Sequence, residues 1–284
     1  MHSMTDIYAG IAIMATIAVL LALLGLRAGR CWSRRRVFFM AVLTVAFMLL
    51  FGTQWLDSIW MIHLLPVSNA IVVANWLLPA TGLLIGLTWH LLPRPVWRKC
   101  LFIVPLAAIA VWRFHGPLSG RPPEDIQDRW NADVCLQSSS SSCGAAAAAT
   151  LLRAAGIPAT EAEMADLCLT RPHGTTLHGL YRGLKLKTSG GPWRVELVST
   201  PAALRASAAP VLINVGLPRA TANLDPRYQR EWGWTPGSSH TVVLFAFLPT
   251  GTIDMADPAV GRERWFTADL DVLWRHQGLR LVRR

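Results

Sequence analysis

The first part of the chain alternates long apolar runs with clusters of arginine, and after residue 115 the pattern shortens into mixed polar and apolar segments. Ile7 to Leu26 carries no charge over about 20 residues, the length that crosses a hydrocarbon core of roughly 30 Å. No Lys or Arg precedes this run and arginines follow it, the reverse of a secretory signal, so it reads as a spanning helix. Val37 to Leu56, Ala70 to Leu92 and a shorter run from about Val96 to Phe114 repeat the pattern. Residues 1–115 are therefore expected to form an all-α membrane domain of about four transmembrane helices.

Beyond that point the periodicities are those of a folded domain. Gly116 to Pro123 (GPLSGRPP) has the turn residues of a linker that stops the fourth helix, residues 116–130 are assigned to it, and Asp125 to Val134 is read as a short helix. Ser138 to Ser142 reads by composition as a flexible loop. Cys143 to Ala155 is strongly helix-forming and ends at Gly156. Thr160 with Glu163 three residues later is a capping box for a second helix through Leu169, and His173 to Leu184 holds a loop and a third helix. Strand periodicity then appears at Trp193–Val198, Val211–Val215, Thr241–Leu248, Thr252–Met255 and Leu279–Val282. Short helices at Pro201–Ala208 and Ala268–Trp274 interrupt these strands. Helices first and an antiparallel sheet second make residues 131–284 an α+β domain. The connection Pro218 to Ser239, with Trp232 and Trp234, has the residues to border a groove.

Composition agrees with the split: 52% of residues are apolar and only 15% charged, which is not the balance of an ordinary soluble protein. The net charge of +10 invites a nucleic-acid reading, but its location argues otherwise. Residues 1–115 hold nine Lys/Arg against two acids, and residues 116–284 eighteen against fifteen. Most of the excess lies at Arg27, Arg30, Arg34, Arg35, Arg36, Arg94, Arg98 and Lys99, in short loops that mark a cytoplasmic face. No basic stripe interleaved with aromatics occurs, so nucleic acid is not an expected partner. The alternation places both termini and the globular domain outside. Gln54, Asn75 and His90 are polar within or near the spans; each lies near a helix end or within reach of a neighbouring helix, which favours a structural over a transport role.

The candidate chemistry centres on QSSSSSCGAAAAA, Gln137 to Ala149. A nucleophilic cysteine needs a lowered thiol pKa, and the first turn of a helix, where Cys143 falls, supplies unpaired N–H groups and positive potential. Gly144 leaves room for a substrate backbone, and Gln137 is spaced to return its amide toward an oxyanion beside the Cys143 N–H. His240 opens the strand HTVVLFAFL and Asp257 follows in MADPAVG at the end of the next strand, a spacing that sets imidazole and carboxylate side by side on adjacent strands. Asp254 is the alternative carboxylate, less suited because an odd separation puts it on the opposite face. His173 and His178, five apart in RPHGTTLHG, lack a Cys or carboxylate partner and read as groove or loop residues rather than zinc ligands.

Gln137, Cys143, Gly144, His240 and the Asp257-Pro258-Ala259 segment with Gly261, in that order across roughly Asp133 to Leu273, resemble the bacteriocin-processing cysteine peptidases, papain-like domains that remove double-glycine leader peptides. The resemblance implies a papain-like cysteine peptidase domain with Cys143 as nucleophile, His240 as general base and acid, Asp257 as orienting residue and Gln137 as oxyanion donor. It implies a peptide or protein substrate and no metal or cofactor; the expected location is a bacterial inner membrane, and it is the charge alternation, not the resemblance, that puts the domain on the extracytoplasmic side. The best-known relatives precede a transporter and an ATPase, whereas here four spans precede the domain and no GxxxxGK[ST] phosphate loop occurs, so no ATP site is expected. Four spans exceed what a tether needs, which points to the lipid bilayer and a membrane-protein partner or substrate. The reading from a different class is a catalytically silent peptide-binding or accessory membrane module on the same fold; other acyl transfers share the residues. In an oxidising compartment Cys135 and Cys168 are expected to bridge, leaving Cys143 free.

Overall fold

The structure is a computed structural model that describes residues 4–55, 60–92, 95–118, 122–208, 210–220 and 225–284. The chain divides into two compact units, Met1–Ser119 and Gly120–Arg284.

The first unit is helical: α1 (Thr5–Cys31), α2 (Arg34–Leu50) continued by a wider π turn at Phe51–Trp55, α3 (Trp60–Leu64), α4 (Ala70–Val73), α5 (Leu77–Thr88) and α6 (Val96–Leu118). Three stretches, Thr5–Cys31, Arg34–Thr53 and Ala70–Thr88, are long and apolar enough to cross a membrane. Among the described residues, all exposed large hydrophobic side chains but Trp232, Val260 and Phe266 lie at or before Trp112. The outward faces of these helices are therefore largely apolar. The segment expected as the fourth span is α6. This helix runs through Gly116 and Pro117 to Leu118, past the expected stop, with Pro117 removing one N–H bond of its last turn.

Small residues set the packing in this unit. A Cβ on Gly82 would lie 2.2 Å from the Ala18 carbonyl oxygen, and one on Gly86 2.1 Å from that of Ala22. The backbones of α1 and α5 thus touch, as in close membrane helix pairs. The break between α4 and α5 is bridged by Asn75, whose Oδ1 accepts from the Leu77 N–H at 3.3 Å. His90 Nε2 accepts from Arg30 Nε at 3.4 Å. Both polar groups therefore hold helix ends; the Gln54 side chain lies outside the described residues.

The second unit opens with a hairpin, β1 (Arg129–Asn131) and β2 (Val134–Leu136), where a helix was expected. Ala132 turns it at φ +53°, and β2 packs on the helix that carries the nucleophile candidate. That tertiary contact overrides the weak local helix signal. Then come α7 (Cys143–Ala154), α8 (Glu161–Leu167), α9 (Leu177–Lys187), β3 (Trp193–Val198), α10 (Pro201–Arg205), β4 (Val211–Val215), α11 (Arg227–Arg230), β5 (His240–Phe247), β6 (Thr252–Asp257), β7 (Gly261–Phe266), α12 (Thr267–Leu273) and β8 (Trp274–Arg283). The expected cap is present: Thr160 Oγ1 accepts from the Glu163 N–H at 3.1 Å.

Six strands form one antiparallel sheet in the order β3-β8-β4-β5-β6-β7. Alternate residues Ile213, Val215, Val242, Leu244, Ile253 and Met255 share a core with Tyr228, Trp265, Leu270 and Leu273. Strand alternation puts Leu212, Val243 and Ala256 on the other face, and α7 packs across β4, β5 and β6. A sheet buried on both faces explains why β4 and β5 read as nearly continuous apolar runs. The architecture is α+β, helices followed by an antiparallel sheet, as the sequence pattern indicates.

Candidate active site

The serine run is a built turn, not the flexible loop its composition suggests. Ser142 Oγ donates to the Ser139 carbonyl at 3.0 Å, and the Ser139 N–H donates back to Ser142 Oγ at 3.0 Å. Ser138 is tied to Glu161, a fully buried carboxylate, through its N–H at 2.9 Å and its hydroxyl at 2.6 Å. Asp128 accepts the Glu161 N–H at 2.9 Å. Because Ser142 spends its hydroxyl on Ser139, it does not cap α7, and among the described residues no side chain is seen to accept from the N–H groups of the first turn.

Cys143 begins α7 and is 8% exposed. Gly144 has a reason beyond substrate access: a Cβ there would stand 2.9 Å from Thr175 Cβ. The RPHGTTLHG loop crosses the start of α7 at this point, held by Thr170 Oγ1 against Thr175 Oγ1 at 2.8 Å.

Opposite Cys143, β5 delivers His240. Its Nε2 lies 2.7 Å from Asp257 Oδ1, which also accepts the Ala259 N–H at 2.7 Å. Cys143 is the other side chain that acts on the His240 ring, which leaves Nδ1 as the nitrogen available to its thiol. Burial opposes a charged thiol, but the His240 hydrogen bond and charge, with the Thr241 N–H and hydroxyl, outweigh it and hold the Cys143 pKa below its ordinary value. Burial likewise opposes a charged imidazole, yet Asp257 and Cys143 together raise His240 to about 10. Both directions describe one ion pair, thiolate and imidazolium.

Gln137 reaches this cluster through its backbone: its N–H donates to the Pro258 carbonyl at 2.8 Å, next to Asp257. Its side-chain amide donates to the Ser139 carbonyl at 2.9 Å, and its Oε1 is buried without a hydrogen-bond partner. Arg262 secures the same corner by gripping both oxygens of Asp254 at 2.8 and 2.6 Å and pairing with Asp133 of the β1–β2 turn. Asp254 is thus committed to Arg262 and does not meet His240.

Trp234, expected to border a groove, stands beside the pair, whereas Glu263 and Trp265 escaped sequence reasoning. The Trp234 ring stands edge-on to His240 at 6.2 Å between centroids and edge-on to Trp265 at 6.1 Å. Trp265 Nε1 donates to Glu263 Oε2 at 2.7 Å. Burial raises the Glu263 pKa against that hydrogen bond, and the Asp257 charge adds to the rise. The connection carrying Trp234 is anchored by Arg227 Nη2 and the Tyr228 hydroxyl, which donate to the buried Asp269 Oδ1 at 2.6 and 2.9 Å. Reading GRERWF as a strand by its alternation would have aligned Glu263 and Trp265 on the Asp257 face.

The expected bridge between Cys135 and Cys168 is not formed; both cysteines are unbridged and buried. They pack in different surroundings, which is the physical reason. The Cys135 N–H bonds Thr150 of α7 at 2.9 Å, with Glu161, Asp128 and Arg153 around the thiol. Cys168 closes α8 against α9, where a Cβ on Gly183 would lie 2.2 Å from its Sγ. His173 and His178 join no cluster of metal-ligating side chains among the described residues; His178 is buried at the start of α9.

No protein-family profile matches the sequence. An uncharacterized protein of Methanothermobacter thermautotrophicus is 53% identical over 47 residues, 16% of this chain and 33% of that protein, so the match spans about a third of the relative's length. Among solved structures, the peptidase domain of Streptococcus ComA, a bifunctional ABC transporter of a quorum-sensing pathway, is similar over 53% of this chain and 98% of that one, at 16% identity and a TM-score of 0.42. A double-glycine motif protease from a PCAT transporter, solved with its leader peptide, is similar over 58% of this chain and all of that one, at 15% identity and a TM-score of 0.41.

Proposed function

We propose that this chain is a membrane-anchored cysteine endopeptidase in which Cys143, His240 and Asp257 act as a triad and Gln137 as an oxyanion donor. The observation that carries the reading is His240 bonded to the Asp257 carboxylate at 2.7 Å and interacting with the Cys143 thiol, with the two pKa values displaced toward the ion pair. A peptide-binding module has no chemical need for that pair.

The Cys143 thiolate attacks the carbonyl carbon of the scissile peptide, forming a C–S bond and an oxyanion. The Cys143 N–H at the uncapped start of α7 and the Gln137 amide, released from the Ser139 carbonyl, stabilise that oxyanion. The tetrahedral species collapses to a thioester as the C–N bond breaks, and the imidazolium gives its Nδ1 proton to the leaving amine. Neutral His240 then removes a proton from water, whose oxygen attacks the thioester. The acid leaves, Cys143 departs as thiolate, and His240 is again imidazolium. Asp257 fixes the ring through Nε2 and stabilises its cationic form. On this reading the helices of residues 1–115 anchor the domain at the bilayer, the arginine clusters between the apolar runs support an extracytoplasmic domain, and the substrate is a leader or secreted peptide.

The test is labelling and hydrolysis on the intact protein. A thiol-directed peptidase inhibitor is expected to add once, at Cys143, near neutral pH, and Cys143→Ala is expected to abolish labelling and peptide release while the protein stays folded. Hydrolysis surviving Cys143→Ala would sink the assignment.

A further inference from the structure

The membrane unit holds a cleft of about 830 Å³ between α2 and α5 that the peptidase reading does not use. One wall is Phe38, Ala41, Val42 and Val45, which recur at helical spacing on a single face of α2. The other is Leu84, Thr88, Leu91 and Leu92, from α5 and the turn that follows. The hydroxyl of Thr88 donates to the Leu84 carbonyl at 2.7 Å, so this wall offers little polarity to a ligand. Arg34 and Arg35 are the charged residues of the lining, and no carboxylate accompanies them. Both are exposed at the start of α2, and neither has an ion-pair or hydrogen-bond partner among the described residues.

We infer that this cleft binds a phospholipid with an anionic headgroup, its acyl chain lying between α2 and α5 and its phosphate meeting Arg34 and Arg35. An apolar trough with two uncompensated positive charges fits an amphiphile with a negative head. A zwitterionic lipid fills the trough equally but brings its own cation to the arginines. Alternating charge along the chain puts this end of α2 at the cytoplasmic face, where anionic lipids concentrate.

The experiment uses the full chain purified in mild detergent, with native mass spectrometry of retained lipid after exposure to equimolar phosphatidylglycerol and phosphatidylcholine. Wild type is expected to retain phosphatidylglycerol about tenfold or more in preference, the order expected for two arginines at a membrane surface. The double variant Arg34→Gln/Arg35→Gln is expected to lose the preference. Val42→Trp, which fills the trough, is expected to lose both lipids at unchanged helical circular dichroism. Arg27→Gln/Arg36→Gln removes one charge near the end of α1 and one in the first turn of α2, neither of which lines the cleft, and is expected to behave as wild type. An equal loss in that control, equal retention of the two lipids by wild type, or displacement of phosphatidylglycerol by equimolar fatty acid would overturn the site.

Discussion

Three thiols are buried in the second unit, and two environments drive them in opposite directions. Cys135 and Cys168 are fully buried among packed helices and β2, and desolvation pushes both up to about 12. Cys143 is nearly as buried, at 8% exposed, yet its pKa is lowered. Burial is therefore not what activates a cysteine; it works against activation in all three places. The difference is a positively charged ring supplied from another element, itself held by Asp257, together with the donors of Thr241. Around Cys135 the larger charges are carboxylates, Glu161 and Asp128, which add to the rise.

The largest expected effect comes from removing that ring. In His240→Ala only the Thr241 donors remain to oppose desolvation, so the Cys143 thiol is expected to rise toward the range of its two neighbours. The loss of thiolate near neutral pH is expected to slow alkylation by about a hundredfold or more. Alkylation followed by mass spectrometry, cysteine by cysteine, measures this directly. Wild type should label Cys143 far ahead of Cys135 and Cys168, and His240→Ala should bring the three together. Unchanged labelling of Cys143 would show that the ring is not the cause.

Asp257→Asn is the next step down. The amide still accepts from Nε2 but no longer carries charge, so hydrolysis is expected to fall by about a hundredfold, within the range for impaired general acid and base action. The sign of the pH effect follows from His240 being raised to about 10. In wild type, hydrolysis should fail above that point because the ring has lost the proton it gives to the leaving amine, while alkylation of the thiolate continues. In Asp257→Asn the alkaline limb should move to lower pH. On the acid side both activities fall as the thiolate takes up a proton.

The two kinds of thiol were not equally legible in the sequence. Cys143 stood out through its helix-opening position and through His240 and Asp257, whose strands carry strong apolar periodicity. The sheet core was readable for the same reason, since Val211–Val215 is buried almost throughout and Trp193–Val198 is apolar at alternate positions. What escaped reading depends on distant partners. The hairpin at Arg129–Leu136 is short and polar, and exists because β2 packs on α7. Edge strand β7 bears exposed Arg262 and Arg264, the charges that protect an edge from further pairing, and these disguised it. The serine run owes its order to Glu161, 23 residues beyond Ser138. Cys135 and Cys168 were paired in expectation because sequence carries compartment and count, not the side of a helix to which each thiol turns.

A smaller effect separates the position of Cys143 from its chemistry. In Gly144→Ala the new Cβ meets Thr175, and either α7 or the Arg171–Thr175 loop must shift. The expected cost is about 1–3 kcal/mol, as for overpacking elsewhere, visible as a lower Tm. Thr175→Gly should recover part of it by removing the obstructing side chain. Loss of labelling at Cys143 with no loss of stability would instead assign Gly144 to substrate or reagent access.

The smallest effect belongs to the other thiols, and it decides whether they are structural or redox-active. Cys135 packs beneath α7 with its N–H on Thr150, and its sulfur contributes only as a small buried hydrophobe. Cys135→Ala is therefore expected to cost roughly 1 kcal/mol and to leave the alkylation rate of Cys143 unchanged. Without a bridge to Cys168, adding a reductant should not lower the Tm of wild type. Thiols pushed to about 12 offer few thiolates for exchange, so mild oxidation should leave both unmodified while Cys143 reacts. A reductant-sensitive Tm that Cys135→Ala removes would restore the bridge, and with it a covalent tie between β2 and α8. Reductant-insensitive melting would leave Glu161, the Ser138–Ser142 turn and Arg262 as the links that hold Gln137 beside the Cys143 helix.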